Sequence, residues 1–447
     1  MTQGRQSEEI PNFSTKFNLR SKNQSKLEKR FLHAPRSMKT KIILAILLAF
    51  SFHNRLSGEQ VPPEKAKTAA VNFLKLNPSS RLKGAAAVDL EPVSYSTTRT
   101  FASAGKKSAA GNEELLYIFN LTGSEGFIII SGDDMATPVL GYSFESGFDV
   151  TDVPLNFRKW MEGYKDQIRY IRAHPGEASA AKEEWTSLLE GRDSGIKSSA
   201  ATVAPLVGTQ WDQSPYVNDL CPYDYEYGER TVTGCAATAM AQIMKYWNYP
   251  KGGSGFHSYE HDVYGTLSAN FGTTEFDWTS MPDVVGSPNQ AVATLMYNCG
   301  VSIDMNYGPA SSGGSGAYVI IERSPVTHCV EYALEKYFNY DPSARGVQRA
   351  NYSDAAWTSL LKEELNAGRP IEYAGFGSGG HAFVCDGYDS NDFFHFNWGW
   401  GGYYDGYFAS DALDPGGTGI GGGSGGYNYY QQALVGIKPP VGQLSYD

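Results

Sequence analysis

The stretch Thr233-Gly234-Cys235-Ala236-Ala237-Thr238-Ala239-Met240-Ala241-Gln242-Ile243-Met244-Lys245-Tyr246-Trp247 most narrows what this chain can become. Ala236, Met240, Ile243, Met244 and Trp247 recur at three- and four-residue spacing, which predicts a helix with one buried face and Thr233-Gly234 as its entry turn. Cys235 then falls in the first turn, at the positive end of the helix dipole. Unpaired N–H groups there favour an anion, so the thiol pKa is expected to fall and the nucleophilic thiolate to be populated. Taken alone, the same stretch fits a small buried cysteine packed like an alanine. A base for the thiol has to be found elsewhere in the chain.

The 447 residues, 41% hydrophobic and 13% aromatic, are enough for two or three domains with sizeable cores. A net charge of -11 excludes a general nucleic-acid binder, which needs a basic stripe to replace released counterions. Residues 1–37 are polar and basic and read as a disordered extension or as sequence upstream of the true start. From Met38, a basic start followed by the apolar run 42–52 reads as a secretory signal over 38–60, with cleavage expected between residues 56 and 60. The run is too short to span a bilayer, so no stable membrane span is expected after its removal.

Residues 61–173 read as a small α+β unit, with helices at 65–76 and 154–171 and strands at 115–120 and 126–134. Residues 174–203 are poor in apolar side chains apart from a short amphipathic patch at 185–189, and read as a linker open to proteolysis. From 204 to 447, helical spacing (235–247, 290–299, 326–338, 354–366) gives way to alternating strands (371–375, 382–388, 393–398, 403–408, 432–437). That order predicts an α+β fold in which a helical part packs on an antiparallel sheet or small barrel.

A thiolate nucleophile needs a base, and the base needs a group to orient it. Of the eight histidines, His33 and His53 lie in the tail and signal, and His174 in the linker. His328 sits beside Cys329 on an expected helix, where a structural role fits, and His395 lies inside a strand. His381 follows Ser378-Gly379-Gly380 and opens a strand, where it can project into a cleft. The turn at 389–392 brings Asn397 back towards it, so that the amide oxygen can accept the His381 Nδ1–H while Trp398 or Trp400 covers the bond. Cys235 and His381 are 381 − 235 = 146 residues apart, within the papain-type spacing of about 130 to 150.

Four blocks carry a resemblance: Thr233-Gly234-Cys235 with its helix, Gly300-Val301-Ser302-Ile303-Asp304-Met305-Asn306-Tyr307-Gly308-Pro309, Gly380-His381-Ala382-Phe383-Val384, and Asn397-Trp398-Gly399-Trp400-Gly401-Gly402. In that order they resemble the streptopain family of secreted bacterial cysteine peptidases, with a papain-like fold, over about residues 203–440. Leu116-Tyr117-Ile118-Phe119-Asn120, the 126–134 block and Val139-Leu140-Gly141-Tyr142-Ser143 resemble that family's inhibitory propeptide. The resemblance implies Cys235 as nucleophile, His381 as general base and acid, and Asn397 and Trp398 as its orienting pair. It places the oxyanion donor at Gln213, with the Cys235 N–H, rather than at Glu229, six residues before the cysteine, whose anion would repel an oxyanion. It further implies a zymogen cleaved within about 176–204, broad endopeptidase specificity with an apolar pocket for the residue two before the scissile bond, and no metal or organic cofactor. The partners implied are protein and peptide substrates and the chain's own propeptide as an intramolecular inhibitor, in an extracellular or cell-surface bacterial setting. Cys221, Cys299, Cys329 and Cys385 have no role in the family pattern, their pairing is open, and an odd total leaves one thiol free. The glycine-rich run 416–426 stands where the family has a mobile loop beside the cleft.

Two rivals remain. His257-Ser258-Tyr259-Glu260-His261 fits H-x-x-E-H, an inverted zinc-protease motif, which needs both histidines one turn apart on a helix; the flanking sequence favours a loop. The other is a catalytically inactive binding or inhibitor protein on the same fold.

Overall fold

The computed structural model describes residues 58–77, 88–95, 114–151, 153–173, 180–192, 202–321, 328–375, 380–410 and 431–442. The expected tail, nearly all of the signal segment and the 416–426 run lie outside these residues.

The N-terminal part comprises α1 (Pro63–Leu76), β1 (Leu90–Val93), β2 (Leu116–Leu121), β3 (Phe127–Ser131), β4 (Val139–Ser143), α2 (Leu155–Ala173) and α3 (Ala180–Leu189). The C-terminal part begins with the small hairpin β5 (Tyr223–Asp224) and β6 (Glu229–Arg230), then α4 (Cys235–Trp247), the hairpin β7 (Phe256–His261) and β8 (Gly265–Asn270), α5 (Gln290–Ser302) and α6 (Val330–Lys336). It ends with β9 (Arg345–Gln348), α7 (Asp354–Asn366), β10 (Ile371–Gly375), β11 (His381–Tyr388), β12 (Phe394–Asn397), β13 (Gly406–Phe408) and β14 (Gln432–Val435).

One ten-stranded sheet runs through both parts in the order β1-β2-β3-β4-β13-β12-β11-β10-β14-β9. The two parts join where β4 pairs antiparallel with β13, Tyr142 opposite Tyr407 and Gly141 opposite Phe408. A side chain at position 141 would meet the Phe408 ring at 2.6 Å, so this seam needs glycine.

Strand alternation sorts the core into two faces. Ala382 and Val384 of β11 pack with the apolar faces of α4 and α5, whereas Phe383 and Cys385 point to the other side. There they meet Phe157, Trp160, Met161, Tyr164 and Ile168 of α2 and Trp357, Leu361 and Leu365 of α7. Helices α1 and α3 cover the N-terminal strands through Ala66, Ala70, Phe73, Leu74, Trp185 and Leu188.

The architecture is the mixed α+β arrangement expected, with helices packed on an antiparallel sheet. Three local readings change. Helix α3 occupies the middle of the expected linker, because Trp185 is buried and donates to the Ala136 carbonyl at 2.9 Å while Asn72 caps the Leu188 carbonyl at 2.9 Å. Glu59 and Val61, at the edge of the expected signal, already belong to the fold through bonds to Asp134 and Gly132. The H-x-x-E-H segment is strand β7 of a hairpin, which removes the metalloprotease alternative: Glu260 is exposed on the face opposite His257 and His261. Four strand residues also separate the histidines by about 13 Å, far more than one helical turn.

Candidate active site

Cys235 is the first residue of α4, and Gly234 before it adopts φ +86°. The positive φ calls for glycine there, and an added side chain would press on the flexible end of Met305 at 2.6 Å. The helix runs onto β11, and the Ala382 N–H is directed at the Cys235 thiol. The sulfur therefore lies beside the residue that follows His381.

The electrostatics differ from the sequence expectation. Burial pushes the Cys235 thiol above its ordinary value, and the Ala382 and Ala236 N–H groups offset only part of that rise. The helix-terminus effect of a few tenths to one kcal/mol is smaller than the cost of desolvating a thiolate. Both effects of the surroundings taken together, the Cys235 thiol favours its protonated form.

His381 opens β11 as expected, opposite Gly375 of β10. It is 3% exposed rather than set in an open cleft. Its parity is that of Phe383, so the imidazole lies on the α2 side of the strand, opposite the face on which Ala382 packs with α4. The ring stacks on Trp400 at 4.6 Å and 13°, lies 5.8 Å from Phe383 and 6.1 Å from Trp398, and its Nε2–H donates to the Trp398 carbonyl at 3.0 Å. Burial pulls its pKa down to about 3, against the opposing effect of that carbonyl.

Asn397 sits opposite Val384, not His381. Its Oδ1 accepts from Gln242 Nε2 at 3.0 Å and from the Gly399 N–H at 3.1 Å, and its Nδ2 donates to the Thr209 carbonyl at 2.7 Å. The expected Asn397–His381 bond is replaced by the Trp398 carbonyl. Trp398 is buried, held by its N–H to Asp405 at 2.8 Å and by its indole N–H to the Tyr404 carbonyl at 3.1 Å. Gln213 is placed by its own carbonyl, which accepts the Thr233 N–H at 3.1 Å, two residues before Cys235.

Gln242 was not singled out from sequence. Its Oε1 accepts from Thr209 Oγ1 at 3.0 Å and from the Trp211 N–H at 3.2 Å, so one buried amide ties α4 to the Gln213 loop and to Asn397. The legible signal was a lone amide inside the small apolar run 236–244. His395, read as a strand residue, is the centre of a second polar group: Nδ1 meets Asp386 at 2.6 Å and Nε2 meets Glu145 of the N-terminal part at 2.8 Å. A cavity of about 410 Å³ on this seam is lined by Glu145, Thr209, Gln210, His395, Asn397 and Asp405, among others.

The aromatic side of the site is built by α2. Phe157 stacks on Tyr404 at 4.6 Å and meets Trp398 edge-on at 5.4 Å; Trp160 meets Trp398 at 5.5 Å and Phe383 at 6.0 Å. The N-terminal part thus supports the residues that enclose the His381 ring. All five cysteines are free thiols; Cys221, Cys299, Cys329 and Cys385 are buried in the core.

Comparison with known proteins identifies the two parts of the chain. Residues 211–408 match the model of the Peptidase C10 family, and residues 58–168 match that of the Spi protease inhibitor. Streptopain of Streptococcus pyogenes serotype M28 is 34% identical over 394 residues, covering 84% of this chain and 91% of that protein. Thiol protease/hemagglutinin PrtT of Porphyromonas gingivalis is 36% identical over 349 residues, 74% of this chain, but the match spans only 38% of that longer protein. A structure of a Prevotella intermedia prointerpain A fragment with a cysteine-to-alanine substitution superposes with a TM-score of 0.58 at 32% identity, over 79% of this chain and all of the fragment. The chain belongs to the Peptidase C10 family of streptopain-like cysteine peptidases and carries an inhibitor-type propeptide ahead of its catalytic part.

Proposed function

We propose that the chain is a secreted zymogen whose catalytic part, about residues 204–447, hydrolyses proteins through Cys235 and His381, and that the structure described is its latent state. The observation that carries the reading is the Ala382 N–H at the Cys235 thiol: the backbone of β11 is already at the nucleophile, and only the adjacent imidazole faces away. A turn of the His381 side chain around the first residue of the strand brings its ring to the thiol side. There it takes the thiol proton, the thiolate attacks the peptide carbonyl, and the imidazolium protonates the leaving amine. Water, deprotonated by the same imidazole, then hydrolyses the thioacyl-enzyme. Gln213 and the Cys235 N–H stabilise the tetrahedral oxyanion, and donors of this kind each lower a barrier by about 3 kcal/mol. Asn397 and Trp398 hold the histidine once it has turned.

Residues 61–173 act as the intramolecular inhibitor, through the α2 rings that pack the His381 enclosure and the Glu145–His395 pair. With α3 folded onto α1, cleavage falls on the C-terminal side of that helix, before residue 204. Met305, packed against Gly234 beside the nucleophile, supports an apolar pocket for the second residue before the scissile bond. The signal reading of 38–60 supports export from a bacterial cell.

The test is Cys235→Ala in the full precursor, which is expected to fold, stay unprocessed and leave casein intact. His381→Ala is expected to behave likewise. Processing and casein hydrolysis at wild-type rates in either variant would overturn the mechanism.

A further inference from the structure

We propose that His257, Asp304 and His328 form a binding site for one divalent cation of the zinc class, which braces the wall of the peptidase beside Cys235. The three residues come from separate segments: strand β7, the turn after α5, and the residues leading into α6. Each offers one ligand atom, and these atoms all lie within 4.8 Å of one another. His257 Nε2 is 2.6 Å from one Asp304 carboxylate oxygen, and His328 Nδ1 is 3.2 Å from the other. Zinc held by imidazole and carboxylate at about 2.0–2.2 Å in a tetrahedron sets its ligand atoms about 3.3 Å apart. The two contacts run to different oxygens of one carboxylate, and the three ligand atoms, all within 4.8 Å of one another, reach that spacing by small side-chain movements.

Several features prepare the residues for a metal. The two imidazoles stack with ring centres 4.2 Å apart at 16°, so if both were protonated they would set two positive charges face to face on one carboxylate. A cation of charge two replaces both protons and leaves both rings neutral, as ligation requires. The second ring nitrogen of His328 faces the Tyr337 hydroxyl at 3.4 Å, in the position of the outer partner that usually orients a ligating histidine. Two imidazoles and one carboxylate are a donor set suited to zinc and leave a fourth position for water, on the side where Asp304 is 38% exposed.

The location gives the site its consequence. Asp304 has φ +50° and immediately precedes Met305, whose carbonyl accepts the Tyr259 hydroxyl at 2.6 Å and whose side chain packs on Gly234. A cation at Asp304 therefore ties the turn that flanks the nucleophile to the β7–β8 hairpin and to α6. The H-x-x-E-H motif contributes only His257: His261 accepts at Nδ1 from the Val263 and Tyr264 N–H groups and lies outside the group formed by His257, Asp304 and His328.

The experiment uses the full precursor carrying Cys235→Ala, which removes self-cleavage and the one thiol outside the core. After chelator treatment and dialysis it is titrated with Zn²⁺ by calorimetry and with Co²⁺ by visible absorption. One Zn²⁺ per chain, the d–d bands of four-coordinate Co²⁺ without a thiolate charge-transfer band, and a higher melting temperature with zinc are expected. His257→Gln and His328→Gln are each expected to weaken binding by about a hundredfold or more, beyond the effect of losing an outer partner. Asp304→Asn is the control for folding, because asparagine tolerates the left-handed backbone while its amide is a poor ligand; it should melt like the parent without zinc and lose the zinc-dependent rise. Absence of stoichiometric binding, binding unchanged in these three variants, or a thiolate band on Co²⁺ would each overturn the proposal.

Discussion

Truncating Phe157 to alanine is the sharpest test of how the precursor is kept silent. The ring is fully buried on α2, and among the described residues four of its five aromatic neighbours, Tyr404, Trp398, Trp400 and Phe408, belong to the catalytic part, the fifth being Phe148. Phe→Ala at such a site costs about 3–5 kcal/mol. With most of the contact across the seam, about 3 kcal/mol of that falls on docking of the N-terminal part against the His381 enclosure. At 1.36 kcal/mol per decade this raises the opened population by about a hundredfold. If opening limits maturation, Phe157→Ala should shorten the lag before peptidase activity by a similar factor at pH 7. The assay follows processing on gels together with hydrolysis of a fluorogenic peptide. The same substitution in the Cys235→Ala precursor reports by hydrogen exchange whether residues 398–408 have loosened while β10 and β11 stay protected. Loosening without any change in the lag would refute the idea that these rings maintain latency.

Three other outcomes follow from the charges. Cys235 in the precursor is expected to react with iodoacetamide at pH 7 at least tenfold more slowly than in the processed enzyme, because burial holds the thiol protonated; equal rates would show that the precursor thiol is already active. Burial depresses His395, but Asp386 and Glu145 outweigh it and raise its pKa to about 10, so the stabilising charge is present in full below about pH 6.5 and is lost as pH rises through about 10. Urea unfolding of the Cys235→Ala precursor should show that decline, and Glu145→Gln should shift it to lower pH. Glu372 is fully buried on β10 with neither oxygen partnered among the described residues, and burial raises its pKa well above the carboxylate range. Its folded state favours the proton, so stability is highest below about pH 4 and falls as pH climbs towards the raised value. Glu372→Leu is expected to stabilise the protein at pH 7 by about 1–3 kcal/mol, the usual cost of an unsatisfied buried group, with the gain shrinking towards pH 4 in the same urea assay.

The legible parts of the molecule were those set by local pattern. The periodicity of α4, the spacing of α7 and the alternation of β10 and β11 place these elements within a residue or two of the expected bounds. The surroundings of His381 were not legible, because they depend on strand parity and on α2, which lies more than two hundred residues upstream. Glycines at 379 and 380 suggested an open position; the rings of Trp398 and Trp400 fill it instead. Asn397 failed as a direct partner for a similar reason, since register places it opposite Val384, and its two acceptor bonds come from Gln242 and Gly399. Of helix α3 only the amphipathic patch at 185–189 was legible, because a ten-residue helix with one tryptophan has little pattern until a partner helix buries it. The His257–Asp304–His328 grouping had no sequence signature, its members being joined only by the packing of three loops and strands.

The same packing silences the chemistry as well as the geometry. Catalysis needs the imidazole to take the proton from the thiol, so what matters is the difference between their proton affinities. With burial raising the thiol above its ordinary value and pulling His381 down to about 3, that transfer is uphill before any movement of the ring. Both shifts have burial as their first cause, and both reverse when water or the partner's charge reaches the groups. An imidazolium beside a thiolate stabilises each ion, so once the ring turns to the Cys235 side the two groups pull one another towards the charged pair. Release of α2 therefore does two things with one event: it frees the ring to turn, and it removes the desolvation that keeps the imidazole neutral. A precursor held only by misplaced geometry would leak activity whenever the ring sampled the other rotamer; here a stray rotamer still meets a thiol too weakly acidic to give up its proton.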